Sequence, residues 1–102
     1  MLEQVFAYGT IASGIKLENE FGRDCVKFTL AMKKESSKDL ENESDTALVP
    51  ITVCNPYVMP IVKELKQGSL VSIIGKLSRQ KLEDGSSVTE IIADEIVEVA
   101  DL

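Results

Sequence analysis

Apolar and polar residues alternate most regularly between Gly68 and Val99. Val71, Ile73, Gly75 and Leu77 alternate with Ser72, Ile74, Lys76 and Ser78, the period of two expected of a strand with one buried face. Asp84-Gly85 is a turn signal, and beyond it the run from Val88 to Val99 is rich in β-branched residues, as a strand should be. The two runs predict a long twisted hairpin. Its first arm carries Lys76, Arg79 and Lys81 with no acid among them, and Glu83 and Asp84 close the tip. An arm of that charge suits a polyanion better than a small substrate.

The same period recurs upstream. Val5 to Ala12 reads as a first strand. Ile15 to Gly22 has mixed character and fits a strand extension or a loop. From Cys25 to Met32, Val26, Phe28, Leu30 and Met32 fall on one face, with Lys27, Thr29 and Ala31 on the other. Lys33 to Thr46 is polar throughout and reads as a solvated loop. Ala47 to Cys54 is a further strand, in which Pro50 predicts an edge position or a bulge because it has no N–H for a ladder.

Between Asn55 and Gly68 the period changes. Val58, Ile61, Val62 and Leu65 recur at helical spacing, Pro60 fits the first helical position, and Gly68 sits where a glycine ends a helix. A helix over about Val58 to Lys66 is expected, with Val58, Ile61 and Leu65 plugging a barrel end. The order β-β-β-α-β-β has no βαβ alternation. It is the pattern of an all-β, five-stranded OB-fold, a Greek-key barrel with one short helix between strands three and four. Val26, Phe28, Leu30, Val71, Ile73 and Leu77 are the expected core, with Phe6 alongside them.

Length and composition agree with one domain over residues 1–102: 44% of the chain is apolar, and there is no internal repeat or linker. No apolar run approaches the roughly 20 residues of a membrane span. The N-terminal MLEQVFAYGT lacks a basic start and a long apolar stretch, so a secretory signal is not expected. Cys25 and Cys54 stand alone in β-like runs, where they read as small buried or half-buried hydrophobes in a reducing, cytoplasmic setting.

Net charge is −6, which argues against a nucleic-acid binder until its distribution is considered. Five acids fall between Glu35 and Asp45 against one lysine, and five more between Glu90 and Asp101 against no base. The rest of the chain holds seven acids and ten bases. A basic surface can therefore coexist with an acidic total, since exposed charges are screened beyond about 8–10 Å.

Catalysis finds little support. The chain has no histidine, its cysteines lack the paired spacing of a zinc site, and it contains neither a phosphate-binding glycine loop nor a nucleophile elbow. A non-enzymatic protein without cofactor or metal is expected.

With these elements in order, the chain resembles the core domain of the bacterial single-stranded-DNA-binding proteins. The resemblance is carried by Gln67-Gly68-Ser69-Leu70-Val71, Gly75-Lys76-Leu77, Glu83-Asp84-Gly85 and Thr89-Glu90-Ile91-Ile92-Ala93-Asp94 in the final hairpin. Phe28-Thr29-Leu30-Ala31, Gly9, Ile51-Thr52-Val53 and Glu64-Leu65-Lys66 match further family positions. It implies sequence-independent binding of single-stranded DNA in replication, repair or recombination, with RNA an open possibility, and assembly into a dimer or tetramer. Two departures accompany it. Family members stack bases on aromatics where this chain has Ser36, Leu48, Cys54 and Leu82, and there is no tryptophan. Stacking contributes about 1–3 kcal/mol per base, so weaker binding is expected. The sequence also ends at Asp101-Leu102, close behind the last strand, so the family's acidic-tipped tail is expected to be lacking.

The expected DNA-contacting residues are Lys16, Arg23, Lys27, Lys33, Lys34, Lys76, Arg79 and Lys81 for phosphates, and Phe21 and Tyr57 for bases. Lys63 and Lys66, on a helix expected to close the barrel away from the groove, are assigned to solvent. An alternative function is a protein-interaction or primosome-accessory module with weak nucleic-acid binding, favoured by the missing stacking residues. Retention of Lys76, Arg79 and Lys81 favours DNA.

Overall fold

A computed structural model describes residues 4–20, 22–33 and 46–99. The alternating segments become strands: β1 (Gln4–Ile11), β2 (Lys16–Glu20), β3 (Arg23–Lys33), β4 (Thr46–Val53), β5 (Leu70–Lys81) and β6 (Ser87–Glu98). One helical turn, α1 (Met59–Val62), lies between β4 and β5. The sheet order is β1-β5-β6-β4-β3-β2, and β1 also pairs with β3, which closes five strands into a barrel. The expected OB architecture is realised. The undecided segment after Ile15 is strand β2, which among the described residues pairs with β3 alone, at the edge of the sheet.

Most of the barrel is antiparallel. β4 meets β6 in parallel, through Ile51 opposite Ile91 and Thr52 opposite Ile92. Pro50 lies just before that short seam, opposite Thr29 on β3, so the strand partner on its other side begins only beyond it. The inward residues of every barrel strand meet in one core that includes Ala7, Ile11, Val26, Phe28, Leu30, Ile51, Val53, Val71, Ile73 and Ile96.

Four expectations are corrected. Leu77 is 46% exposed rather than core: Ile91 opposite it is buried, but the described ladder of β1 with β5 ends at Gln4 opposite Lys76, so β1 no longer flanks β5 there. Phe6 is 66% exposed, since the buried positions of β1 are Ala7, Gly9 and Ile11 and Phe6 shares the opposite face with Tyr8. The helix is shorter than Val58–Lys66. After α1, the N–H groups of Glu64 and Leu65 donate to Ile61 and Val62 carbonyls three residues back, a tighter winding that ends at Gly68 with φ +96. Its buried face is Val58, Val62 and Leu65, an i, i+4, i+7 row, so Ile61 points to solvent and Val62 takes its place; Pro60 is the second helical residue, not the first.

The fourth correction concerns the cysteines. Continuing the β3–β4 register past Val26 opposite Val53 sets Cys25 opposite Cys54, and the two form a disulfide with Cα atoms 4.3 Å apart. They are neither solitary nor inert hydrophobes. The pairing follows from antiparallel register across 29 residues, which no local spacing announces.

Candidate nucleic-acid interface

The outward positions of the strands supply the site. Where β2, β3 and β4 lie side by side, Lys16 is opposite Lys27 and Lys27 is opposite Thr52. Because facing residues share a sheet face, these side chains form a row across three strands. Thr52 is 3% exposed, and its hydroxyl donates to Glu90 Oε2 on β6 at 3.4 Å. Lys16, Glu18, Lys27, Thr52 and Glu90 line one open cleft of about 280 Å³. Ser13 anchors its near end, its hydroxyl accepting the Thr29 N–H at 2.9 Å.

A second cleft, of about 750 Å³, lies against β3, the segment after β4, α1 and β6 and is lined by Arg23, Asp24, Cys54, Met59, Lys63 and Asp94, among others. Asn55 shapes its floor. Its side chain accepts the Tyr57 N–H at 3.0 Å and donates to the Asp94 carbonyl at 3.4 Å, while its own carbonyl receives the Val58 and Met59 N–H groups that start the helical turn. Cys54 is tied into the disulfide at this cleft.

The β5–β6 hairpin is the other arm of the site. From Arg79 to Thr89 every residue is exposed, so this stretch projects beyond the barrel. Lys76 is half-buried and falls on the opposite strand face from Arg79 and Lys81. The tip is fixed by Asp84, whose carboxylate Oδ1 accepts the Ser86 hydroxyl at 2.5 Å and the Ser86 N–H at 2.9 Å. Those two bonds hold the exposed Asp84 carboxyl below the usual carboxylate range. Gly85 (φ +91) supplies the left-handed residue that the turn needs.

The structure thus brings Lys16 and Lys27 together, places Arg23 in the second cleft, sets Arg79 and Lys81 on the projecting arm, and leaves Lys76 in the barrel opposite Gln4. Tyr57, 89% exposed, stands beside Pro56 at the start of the helical turn. Lys33 ends β3 opposite Thr46. Phe21 and Lys34, together with Ser36 and Lys38, lie outside the described residues. Residues missed from sequence are Glu18, Thr52 and Glu90 in the first cleft. Lys63 was assigned to solvent yet lines the second cleft with Arg23. Only strand register could have revealed the first three.

Solved structures share this architecture. A Plasmodium falciparum SSB in complex with ssDNA superposes with a TM-score of 0.81 at 20% identity, over 98% of this chain and 96% of that one. The mitochondrial single-stranded DNA binding protein Rim1 of S. cerevisiae gives 0.75 at 18%, over 97% and 96%. The dimeric N-terminal domain of PriB from Thermoanaerobacter tencongensis gives 0.69 at 20%, over 96% and 97%. At such identities the likeness shows the fold alone. No curated protein sequence matches the chain. The model of the single-strand binding protein family, however, matches residues 2–99, nearly the whole barrel and hairpin described above, and the chain belongs to that family.

Proposed function

We propose that the protein is a non-enzymatic binder of single-stranded DNA, serving replication, repair or recombination with little dependence on sequence. The observation that carries this reading is the facing pair Lys16 and Lys27 at an open cleft, with Arg23 in the second cleft and the cationic hairpin arm beyond. Lys16, Arg23, Lys27, Lys33, Lys34, Lys76, Arg79 and Lys81 neutralise phosphates, and Phe21 and Tyr57 offer faces to bases. The ssDNA held by the Plasmodium relative supports the same role here. Few stacking platforms remain, so phosphate contacts provide most of the affinity. A cytoplasmic location accords with this role. No helix among the described residues is long and apolar enough to cross a membrane.

The test is titration of labelled oligo(dT) at several salt concentrations. Neutralising three to five phosphates per protomer gives a slope of log K against log salt of roughly −2 to −3.5, at about −0.7 per phosphate. The triple variant Lys76→Ala, Arg79→Ala, Lys81→Ala keeps the fold, since none of the three is core. Its affinity at low salt falls at least about tenfold, and its slope becomes shallower by about 1–2 units. The competing reading, a protein-interaction module, is favoured by Leu48, 66% exposed where a stacking aromatic is expected. Under that reading wild-type binding is feeble and the triple change leaves it unaltered. An oligo(rU) arm separates DNA from RNA preference.

Self-association completes the proposal. β1 pairs with β3 only at Thr10 and Ile11, so from Gln4 to Gly9 its second edge has no strand partner among the described residues. Beside it lies a cleft lined by Phe6, Tyr8, Met32 and Leu70. A second copy laid on this edge would cover both the open backbone and the aromatics. The PriB relative is dimeric, which supports self-association here. Light scattering on a protomer of 11.2 kDa is expected to report a dimer or tetramer, and Phe6→Glu to shift it toward monomer. A wild-type monomer at high micromolar concentration would sink this part.

A further inference from the structure

The two halves of the cysteine bridge differ in access. Cys25 is 1% exposed, whereas Cys54 is half-buried and borders the second cleft. A reagent entering that cleft meets Cys54 and not Cys25. The cleft, about 750 Å³, falls within the size range of pockets that take small molecules. Its walls carry both signs of charge, with Arg23 and Lys63 as cations and Asp24 and Asp94 as acids. Asp24 is already engaged, since the Asn19 side-chain amide donates to it at 3.0 Å.

We propose that Cys54 is a site of reversible S-thiolation by a small peptide thiol that bears carboxylates and an ammonium group and is taken up in the second cleft. Arg23 and Lys63 attract the carboxylates and Asp94 the ammonium group, a match that a neutral thiol lacks. The incoming thiolate attacks the Cys54 Sγ and forms a new S–S bond. The Cys25–Cys54 bond breaks, its electron pair leaves on the Cys25 Sγ, and that sulfur takes a proton from water. One disulfide replaces another, so the thiol is the only co-reactant. Burial closes the alternative attack at Cys25. The step also reverses. Val26 remains opposite Val53 in the β3–β4 ladder, which keeps Cys25 beside Cys54 and lets it expel the adduct when the free thiol is withdrawn. This modification stands apart from the single-stranded-DNA reading, and its test uses no nucleic acid.

Reduced glutathione is the probe. Oxidised protein is incubated with it, the exchange is quenched with N-ethylmaleimide, and the peptides carrying each cysteine are identified by mass spectrometry. Glutathione on Cys54 with maleimide on Cys25 is expected to exceed the reverse arrangement at least about tenfold. Because Cys25 can expel the adduct before the quench, two single variants are also treated with oxidised glutathione. Cys25→Ala is expected to accumulate the adduct at Cys54 at least about tenfold faster than Cys54→Ala does at Cys25, and the two rates to converge in urea. Equal rates in the folded variants, or an unreactive Cys54, would overturn the proposal, as would wild-type cysteines that cannot be oxidised to one another. Lys63→Glu, at an exposed position, tests recognition by the cleft. At low salt, thiolation of Cys54 by oxidised glutathione is expected to slow at least about threefold, and the reaction with neutral 2-hydroxyethyl disulfide to stay unchanged. Equal effects on both reagents would show that the cleft does not select the charged thiol.

Discussion

Reduction of the Cys25–Cys54 disulfide is expected to remove about 3.5 kcal/mol of stability, from the chain entropy released when a loop of about 29 residues is opened in the unfolded state. For a domain of this size that is a large share of a total of about 5–15 kcal/mol. Urea unfolding with and without reductant reads it directly. At a slope of about 1–3 kcal/mol per molar, the midpoint should drop by roughly 1–3 M. The β3–β4 ladder of eight residue pairs remains to hold the reduced strands, and circular dichroism before urea is added checks that it does. Equal midpoints would mean that the cross-link contributes nothing the ladder does not already provide. Blocking free thiols in freshly lysed cells before unfolding adds the state in the cell. Two blocked cysteines would accord with the glutathione-reduced cytoplasm, where the loss applies in full.

The disulfide shows where the sequence stops being legible. Periodicity alone located the barrel strands and the helical segment, because alternation at Val26-Phe28-Leu30 and Val71-Ile73 is imposed by a face that must be buried. It could not say where β1 stops flanking β5, so Leu77, whose alternation is unbroken, was expected inside. Helical spacing likewise admits two faces in Val58-Ile61-Val62-Leu65, and only contact with the barrel end selects Val62 over Ile61. For the candidate site, cation-rich arms were visible in one dimension. The cleft shared by Lys16, Glu18, Lys27, Thr52 and Glu90 was not, since it joins four strands through register. The same applies to Cys25 and Cys54. Pairings between distant segments are set by topology, and a single chain's pattern carries little of it.

Gly75→Ala is expected to be nearly as damaging as loss of the disulfide, although it adds one methyl group. The β5–β6 register shifts between Ile74 and Gly75, where Ile74 faces Glu95 but Gly75 faces Ala93. This bulge lets the long hairpin coil as it closes the barrel. At Gly75 the opposite backbone comes so near that a Cβ would sit 2.3 Å from the Ile92 carbonyl oxygen and 3.0 Å from the Ala93 Cα. Neither atom belongs to a side chain that can swing away, so the strands must separate. Overpacking of this kind costs about 1–3 kcal/mol where side chains yield, and the rigid neighbours here put the expected cost at about 3 kcal/mol. Gly9→Ala meets the same obstacle, a Cβ 2.2 Å from the Ala31 carbonyl oxygen. By contrast, Gly14→Ala, with nothing within 4 Å, should unfold within about 0.5 kcal/mol of wild type. Thermal unfolding of the three variants would reveal whether close backbone approach, rather than glycine content, sets the difference.

The pairing of β1 with β5 sets a condition on how the protein is made. Gln4 finds its ladder partner in Lys76, and Thr10 in Leu70, so β1 is completed by a strand synthesised well after it. At about 5–20 residues per second, that partner follows roughly 4 to 14 s later. Throughout the delay the nascent β1 lacks its β5 partner and presents Phe6 and Tyr8, which stay exposed even in the finished barrel. Neighbouring polysomes translating the same message would hold many such strands close together. Slower elongation before Leu70 would lengthen that exposure, and the yield of soluble protein would then depend on translation speed as well as on the stability of the folded barrel.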